Sequence, residues 1–429
     1  MLDRTCPPKI GEMFSLTVPP LHTSILSSGI PLRYRNTHCP DLLRVDLMIR
    51  AGSVFQQRPL VAAFTNMLLK EGCQDKTSAQ IAELFDAYGA FLYYSIGMEY
   101  AYVNLLTPKK CYRQTLSLLR DIYLSPAYPQ HDVKVVVEQR YHNYLVDREK
   151  VQVRATTTMN ALLFGENHPY GRQLKESDFE DFDRELLLDF HRRYYLPSRT
   201  EMILVGDVGE EELAITEEIF GKQVPRTTVA DAVGDLPPAQ PAASGSYFIP
   251  KEDALQAALR FTFPLVGQDH PDFVPLKVLN TLLGGYYGSR LMTSIREEKA
   301  YTYGIFSSHT VYRNASYIDI ETQTDIRFVK PLIAAVYEEI ERLQNEKVSE
   351  KELSILRQYL SGEFARMMDG PFTLSDLYIS TASVGMPLSS LETQMQAMKE
   401  VSADDLQRLA QRYLRKESAY EVCVGGKSL

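Results

Sequence analysis

Apolar and polar positions along the chain alternate in two successive runs of the same order. In the first run, two-residue alternation predicts a strand from Leu43 to Arg50, and a 3.6-residue period predicts a helix from Leu60 to Glu71. A Thr77-x-x-Gln80 capping box opens a second helix, which reaches Tyr88 and is stopped by Gly89. Strands are expected at Phe91 to Ser95 and Ala101 to Leu106, followed by helices around 110–123, 132–147 and 183–195. The second run begins with a strand from Ala257 to Pro264, then helices from Phe273 to Leu283 and Ser289 to Glu297. Strands at Tyr303 to Thr310 and Ser316 to Thr324, helices between Val329 and Leu414, and a closing strand near Tyr420 to Val424 complete it.

Between the runs, Val224 to Ser246 is rich in Pro, Ala, Gly and Ser and almost free of large apolar residues. Such a stretch cannot bury a core and reads as a linker. The expected organisation is therefore a duplication: residues 1–223, a linker at 224–246, and residues 247–429. Each half is expected to be a mostly antiparallel sheet with helices packed on one face, an α+β layer.

The 429 residues allow two cores, and a composition 45% hydrophobic and 24% charged is ordinary for a globular protein. A net charge of -9, with acidic and basic residues mixed along the chain, disfavours nucleic-acid binding. Cys6, Cys39, Cys73, Cys111 and Cys423 are odd in number and lack a Cys-x-x-Cys pair, so free thiols in a reducing compartment are expected. No apolar run approaches the length of a membrane span, and the first residues show no basic region leading into an apolar core. A cytoplasmic protein without a signal peptide is expected.

The chemistry-bearing stretch is Leu283 to Ser308, where a glycine turn, a short helix and an alternating segment set Arg296 and Tyr303 seven residues apart. It resembles the corresponding segment of the pitrilysin/insulinase peptidases, whose zinc motif is inverted. The resemblance extends through Ile49-Arg50-Ala51-Gly52-Ser53-Val54, the helix from Pro59 to Gly72, and the loop Asn167-His168-Pro169-Tyr170-Gly171-Arg172. It continues in Phe190 to Tyr195 and Met202 to Asp207. The family implies two homologous rolls in one chain, forming half of a clamshell around a chamber.

An inverted motif requires His-x-x-Glu-His on one helix, so that two imidazoles bind zinc and a Glu activates the metal-bound water. This chain reads Ala62-Ala63-Phe64-Thr65-Asn66 there, and the family's third ligand, a Glu, falls on Gln139. Ala62 has no lone pair, Thr65 is no carboxylate base, and Asn66 offers only an amide oxygen. Glu138 lies one step from Gln139 and pairs at i, i+4 with His142, a spacing more typical of a solvated helix contact than of half a metal site. No two of the eight histidines are three to five residues apart. No metal is expected in this chain.

What remains is Arg296 and Tyr303, which in the resembled enzymes reach over the scissile peptide. A guanidinium and a phenol can both donate to a developing oxyanion or to a substrate carbonyl. The alternative is that Arg296 only pairs with Glu297 or Glu298 and that Tyr303 is an ordinary strand residue. Arg290 is expected to organise the turn, Tyr286 and Tyr287 to line the chamber, and His168 to fix its loop. Gly284, Gly285 and Gly288 form no phosphate loop, because no Lys-Ser/Thr follows.

Some bacterial members of the family are heterodimers in which one subunit carries zinc and the other carries the Arg-Tyr pair. This chain resembles the second kind. The resemblance implies a zinc-bearing homologous partner, peptide substrates and no activity alone. A non-enzymatic scaffold, as in the core subunits of a respiratory complex, and a peptide-binding protein are the alternatives. Whether the isolated chain is a monomer or a homodimer is left open.

Overall fold

The computed structural model describes residues 17–73, 75–226 and 236–426. Two sheets dominate it. The first contains β1 (His22–Ile25), β2 (Pro31–Asn36), β3 (Leu42–Ile49), β6 (Phe91–Ile96), β7 (Ala101–Pro108) and β8 (Thr200–Gly206). A two-residue ladder, β4 (Gly72–Cys73) with β5 (Lys76–Thr77), stands apart from it. The second sheet contains β9 (Gly245–Ile249), β10 (Gln256–Pro264), β11 (Ile305–Val311), β12 (Ser316–Asp325) and β13 (Tyr420–Val424).

The duplication is plain in strand order. The first sheet runs β1-β2-β8-β3-β7-β6 and the second β11-β12-β10-β13-β9. Without β1, the two orders coincide when β2, β8, β3, β7 and β6 are matched to β9, β13, β10, β12 and β11. Both sheets are antiparallel except at one place, the pairs β2/β8 and β13/β9, which are equivalent and parallel. The α+β reading and the two homologous halves hold.

In the first half the helices are α1 (Val61–Met67), α2 (Ser78–Tyr88), α3 (Tyr112–Leu124), α4 (Gln130–Asp147), α5 (Val151–Phe164), α6 (Arg184–Tyr194) and α7 (Glu210–Thr216). The second half has α8 (Phe273–Asn280), α9 (Val329–Asn345), α10 (Glu350–Met367), α11 (Thr373–Ala382), α12 (Ser390–Glu400) and α13 (Ala403–Tyr413). Local chemistry sets several ends. Thr77 and Gln80 close the expected capping box on α2, and Gly89 ends that helix in the left-handed region at φ 62°. Asp183 caps α6 and Ser402 caps α13.

One face of each sheet packs on its own half's helices. Val45, Leu47, Val103 and Leu105 meet Phe64, Leu116 and Leu119 in the first core. Leu259, Phe261, Ile318 and Ile320 meet Leu276, Leu332 and Val336 in the second. The opposite faces are covered reciprocally. From the second half, α11 lies over Met48, Ile203 and Val205 of the first sheet. From the first half, α5 lies over Ala258, Val422 and Val424 of the second sheet with Ala155 and Met159.

The linker expected at 224–246 falls partly on residues 227–235, outside the described residues. Val224 is buried in the first core. Further on, the Gln240 and Ala242 N–H groups bond to the Phe164 and Leu162 carbonyls at 2.9 and 2.8 Å. Cys39, Cys73, Cys111 and Cys423 are free thiols, and Cys6 lies outside the described residues. Among the described residues, no helix is long and apolar enough to cross a membrane.

Candidate functional site

The Arg296–Tyr303 segment is held against the edge of the second sheet. Helix α8 continues as a π-helical turn from Thr281 to Gly285, and there the backbone touches β11. A Cβ added to Gly284 would lie 2.7 Å from the Ser307 nitrogen, so only glycine permits this approach. The Ser307 hydroxyl donates to the Asn280 carbonyl at 3.0 Å and closes the contact. Tyr286 then stacks on Tyr359 of α10 with ring centroids 4.6 Å apart. Arg290 forms a two-pronged ion pair with Glu352 at 2.8 and 2.9 Å, which ties the turn to α10 as expected of it.

The helix carrying Arg296 is π-helical from Met292 to Glu298, not the α-helix that periodicity suggests. Its buried side is Met292, Ser294 and Ile295, which leaves Arg296 on the outer side. Short π segments recur at functional sites because the wider turn re-aims side chains.

Tyr303 does not begin the strand. β11 starts at Ile305, because side chains take up the backbone groups just before it. Thr302 Oγ1 accepts from the Gly304 N–H at 3.1 Å and donates to the Gln323 carbonyl at 2.6 Å. The Thr324 hydroxyl donates to the Tyr301 carbonyl at 2.6 Å. Both neighbours of Tyr303 are thus pinned, while its own side chain is 94% exposed.

Arg296 joins the two residues into one unit. Its Nε donates to the Tyr303 carbonyl at 3.0 Å. Its Nη1 donates to the Tyr287 hydroxyl, and the guanidinium carbon sits 4.9 Å over the Tyr287 ring. Glu297 approaches at 3.7 Å, so the expected helix-side pairing exists but is longer than either hydrogen bond. Neither the Arg296 Nη2 group nor the Tyr303 hydroxyl bonds to any described residue. Two guanidinium N–H donors and one phenol are therefore free for a ligand. Sequence reasoning singled out Arg296 and Tyr303, but not Tyr287 as the ring that orients the guanidinium.

The degenerate metal motif is built differently. α1 starts from Leu60, held in the left-handed region at φ 71°, and the Gln56 amide oxygen accepts the Ala62 N–H at 3.1 Å. Ala62, Thr65 and Asn66 are all buried. The Asn66 amide donates to the Ser95 and Tyr102 carbonyls at 2.8 and 3.1 Å, and its oxygen accepts from the Tyr195 hydroxyl at 3.1 Å. The Thr65 carbonyl accepts from Tyr128 at 3.0 Å, and its hydroxyl finds no partner. An amide spent in this way has no lone pair directed at a metal, and a methyl and a hydroxyl cannot replace an imidazole and a carboxylate. These residues do not fit zinc.

Gln139, Glu138 and His142 are exposed on α4. Among the described residues, no three His, Cys, Asp or Glu side chains come together as a metal-holding group. His168 behaves as a loop fastener: its Nδ1 accepts from the Tyr170 N–H at 3.1 Å, and desolvation lowers its pKa. Nearby, an added Cβ at Gly171 would lie 2.3 Å from the Gly165 carbonyl, so the loop closes only with glycine there. His191, on α6, is pushed down to about 4 by burial and bonds through Nε2 to the Tyr123 carbonyl at 2.8 Å.

Residues 181–360 match the family described as "Peptidase M16 inactive domain". The "Uncharacterized zinc protease YmxG" of Bacillus subtilis is 22% identical over 341 residues, 78% of this chain and 81% of that protein. The "Non-peptidase homolog YmxG" of Helicobacter pylori is 21% identical over 403 residues, 90% of this chain and 89% of that protein. The crystal structure of a peptidase M16 inactive domain from Pseudomonas fluorescens has a TM-score of 0.85 at 22% identity, covering 96% of this chain and 98% of that one. The relatives' names divide between protease and non-peptidase. The match to the inactive-domain family covers residues 181–360, and over most of its length the chain is similar in sequence and fold to peptidase M16 proteins.

Proposed function

We propose that this chain is the zinc-less subunit of a pitrilysin-like heterodimeric peptidase, in which a homologous partner carries the metal. Its two rolls form half of a clamshell in the cytoplasm, and Arg296 and Tyr303 reach the peptide bound at the partner's site. The observation that carries this reading is a contrast within one chain. The metal-motif side chains are buried and Asn66 is spent on internal hydrogen bonds, whereas Tyr303 is 94% exposed on a loop pinned at both neighbours. A scaffold has no use for an exposed phenol coupled to a guanidinium with free donors. A group waiting for a carbonyl does.

Purified alone, the chain is expected to hold no stoichiometric zinc by elemental analysis and to cleave no peptide. Mixed with the zinc-bearing homologue from the same cell, it should confer turnover. Arg296→Ala and Tyr303→Phe should each lower kcat of the pair about 10²-fold, the effect typical of losing one donor to a developing oxyanion. Unchanged turnover in both variants would remove the catalytic assignment. Chelator-sensitive cleavage by the isolated chain would remove the subunit reading altogether.

A further inference from the structure

Tyr303 stands between two cavities. One, of about 670 Å³, is also lined by Arg296 and belongs to the pair already described. The other, of about 460 Å³, is not lined by Arg296 and has no role so far. Its floor is the second face of the second sheet, where Gln256 and Arg260 on β10, Phe306 on β11, and Glu321 and Gln323 on β12 lie side by side. Its roof is the first turn of α5, through Gln152. Both halves of the chain therefore build it.

The charge of this cavity can be counted. Arg260 is committed: it pairs with the buried Asp319 through Nε and Nη2, and its Nη1 donates to Thr156. Glu321 reaches Arg260 only at 3.3 Å, and its side chain is 61% exposed. One cation against two carboxylates leaves one negative charge at the cavity wall. The start of α5 adds a positive partial charge of about one half, which does not cancel it. The side-chain amides of Gln152, Gln256 and Gln323 bond to no described residue and offer carbonyl acceptors. Phe306, 49% exposed, gives an apolar wall for a methylene stem.

We propose that this cavity is a subsite for one basic side chain, lysine or arginine, of the peptide held by Arg296 and Tyr303. The inference rests on the reading of that pair given above. A lysine ammonium entering past Tyr303 would lay its stem on Phe306 and meet the Glu321 carboxylate and the glutamine carbonyls. An acidic side chain would meet Glu321 and no uncommitted cation.

The test is equilibrium binding of fluorescent, end-blocked neutral peptides, with a single lysine walked along the sequence, to the full-length chain alone. KM with the reconstituted pair is measured in parallel. At one position, lysine should tighten binding about tenfold over norleucine, as expected of a charge-assisted hydrogen bond. Glu321→Gln should abolish that preference, and Glu321→Lys should turn it toward glutamate. Because Glu321 is exposed, both variants should fold. Indifference to lysine at every position, or a preference that survives Glu321→Lys, overturns the subsite. A Glu321-dependent lysine preference in a chain that confers no turnover supports the subsite and overturns only the catalytic reading of Arg296 and Tyr303.

Discussion

Asn66, set by the sequence resemblance against a metal ligand, is a structural residue in this chain. In an active enzyme of this family the helix position needs an imidazole facing a metal. Here the amide joins α1 to the carbonyls of Ser95 and Tyr102 on the β6–β7 hairpin and to the Tyr195 hydroxyl just after α6. Asn66→Ala would remove three hydrogen bonds and leave the buried Tyr195 hydroxyl without its acceptor, which alone costs about 1–3 kcal/mol. A loss of about 2–4 kcal/mol in denaturant-monitored stability is expected, without any change in metal content. A neutral result would mean that the amide is dispensable and the position merely degenerate. The absence of His-x-x-Glu-His was legible in the sequence because it is a local spacing. The role of Asn66 was not, since its partners lie 29, 36 and 129 residues away.

Among the elements, those with local signals were legible: the α2 capping box, the alternating strands β3, β7, β10 and β12, and the long amphipathic α3 and α9. Helix α5 escaped notice. Its sequence, Val151 to Phe164, is crowded with Val and Thr, which weakens helix propensity, and its buried residues are contacts made to the other half's sheet. Strands β1 and β9 are short and exposed or half-buried throughout, so they carry no alternation to read. The two π-helical segments around residues 281–298 also have the composition of ordinary helix, and only the packing of Gly284 on Ser307 reveals why the first is widened. That contact sets where Arg296 and Tyr303 stand. Gly284→Ala would drive a Cβ into the β11 backbone, costing about 1–3 kcal/mol by overpacking. It should also lower kcat of the reconstituted pair by about tenfold or more, since a misplacement of about 1 Å can cost 10². Loss of stability with full turnover would show that the π segment does not position the pair.

For the whole molecule, the decisive feature is the exchange of helices between halves. Each sheet needs a cover on its second face, and each takes it from the other half: α11 on the first sheet, α5 on the second. Both covers are fastened through an arginine–carboxylate pair of the sheet they cover. On the first sheet, Arg44 and Asp46 on β3 bind Asp376 and Ser375 of α11 at 2.7 and 2.6 Å. On the second, Arg260 on β10 and Asp319 on β12 are joined to Thr156 of α5 through the guanidinium. The arginine stands on equivalent strands, β3 and β10, whereas the carboxylate is on β3 itself in the first sheet and on the neighbouring β12 in the second. Two domains on a flexible linker would be expected to unfold in separate steps. Reciprocal covering predicts otherwise, because opening either half strips the other of a helix and exposes Met48, Ile203 and Val205, or Ala258, Val422 and Val424. The full chain should therefore show a single calorimetric transition with equal calorimetric and van't Hoff enthalpies. Ala155 is wholly buried between α5 and the second sheet, so Ala155→Arg would place an unpaired charge in that seam. It should lower the one transition as a whole and split off no stable half. Two resolved transitions, with only the later one unaffected by Ala155→Arg, would show that the halves stand independently and that the exchanged helices are decoration on each.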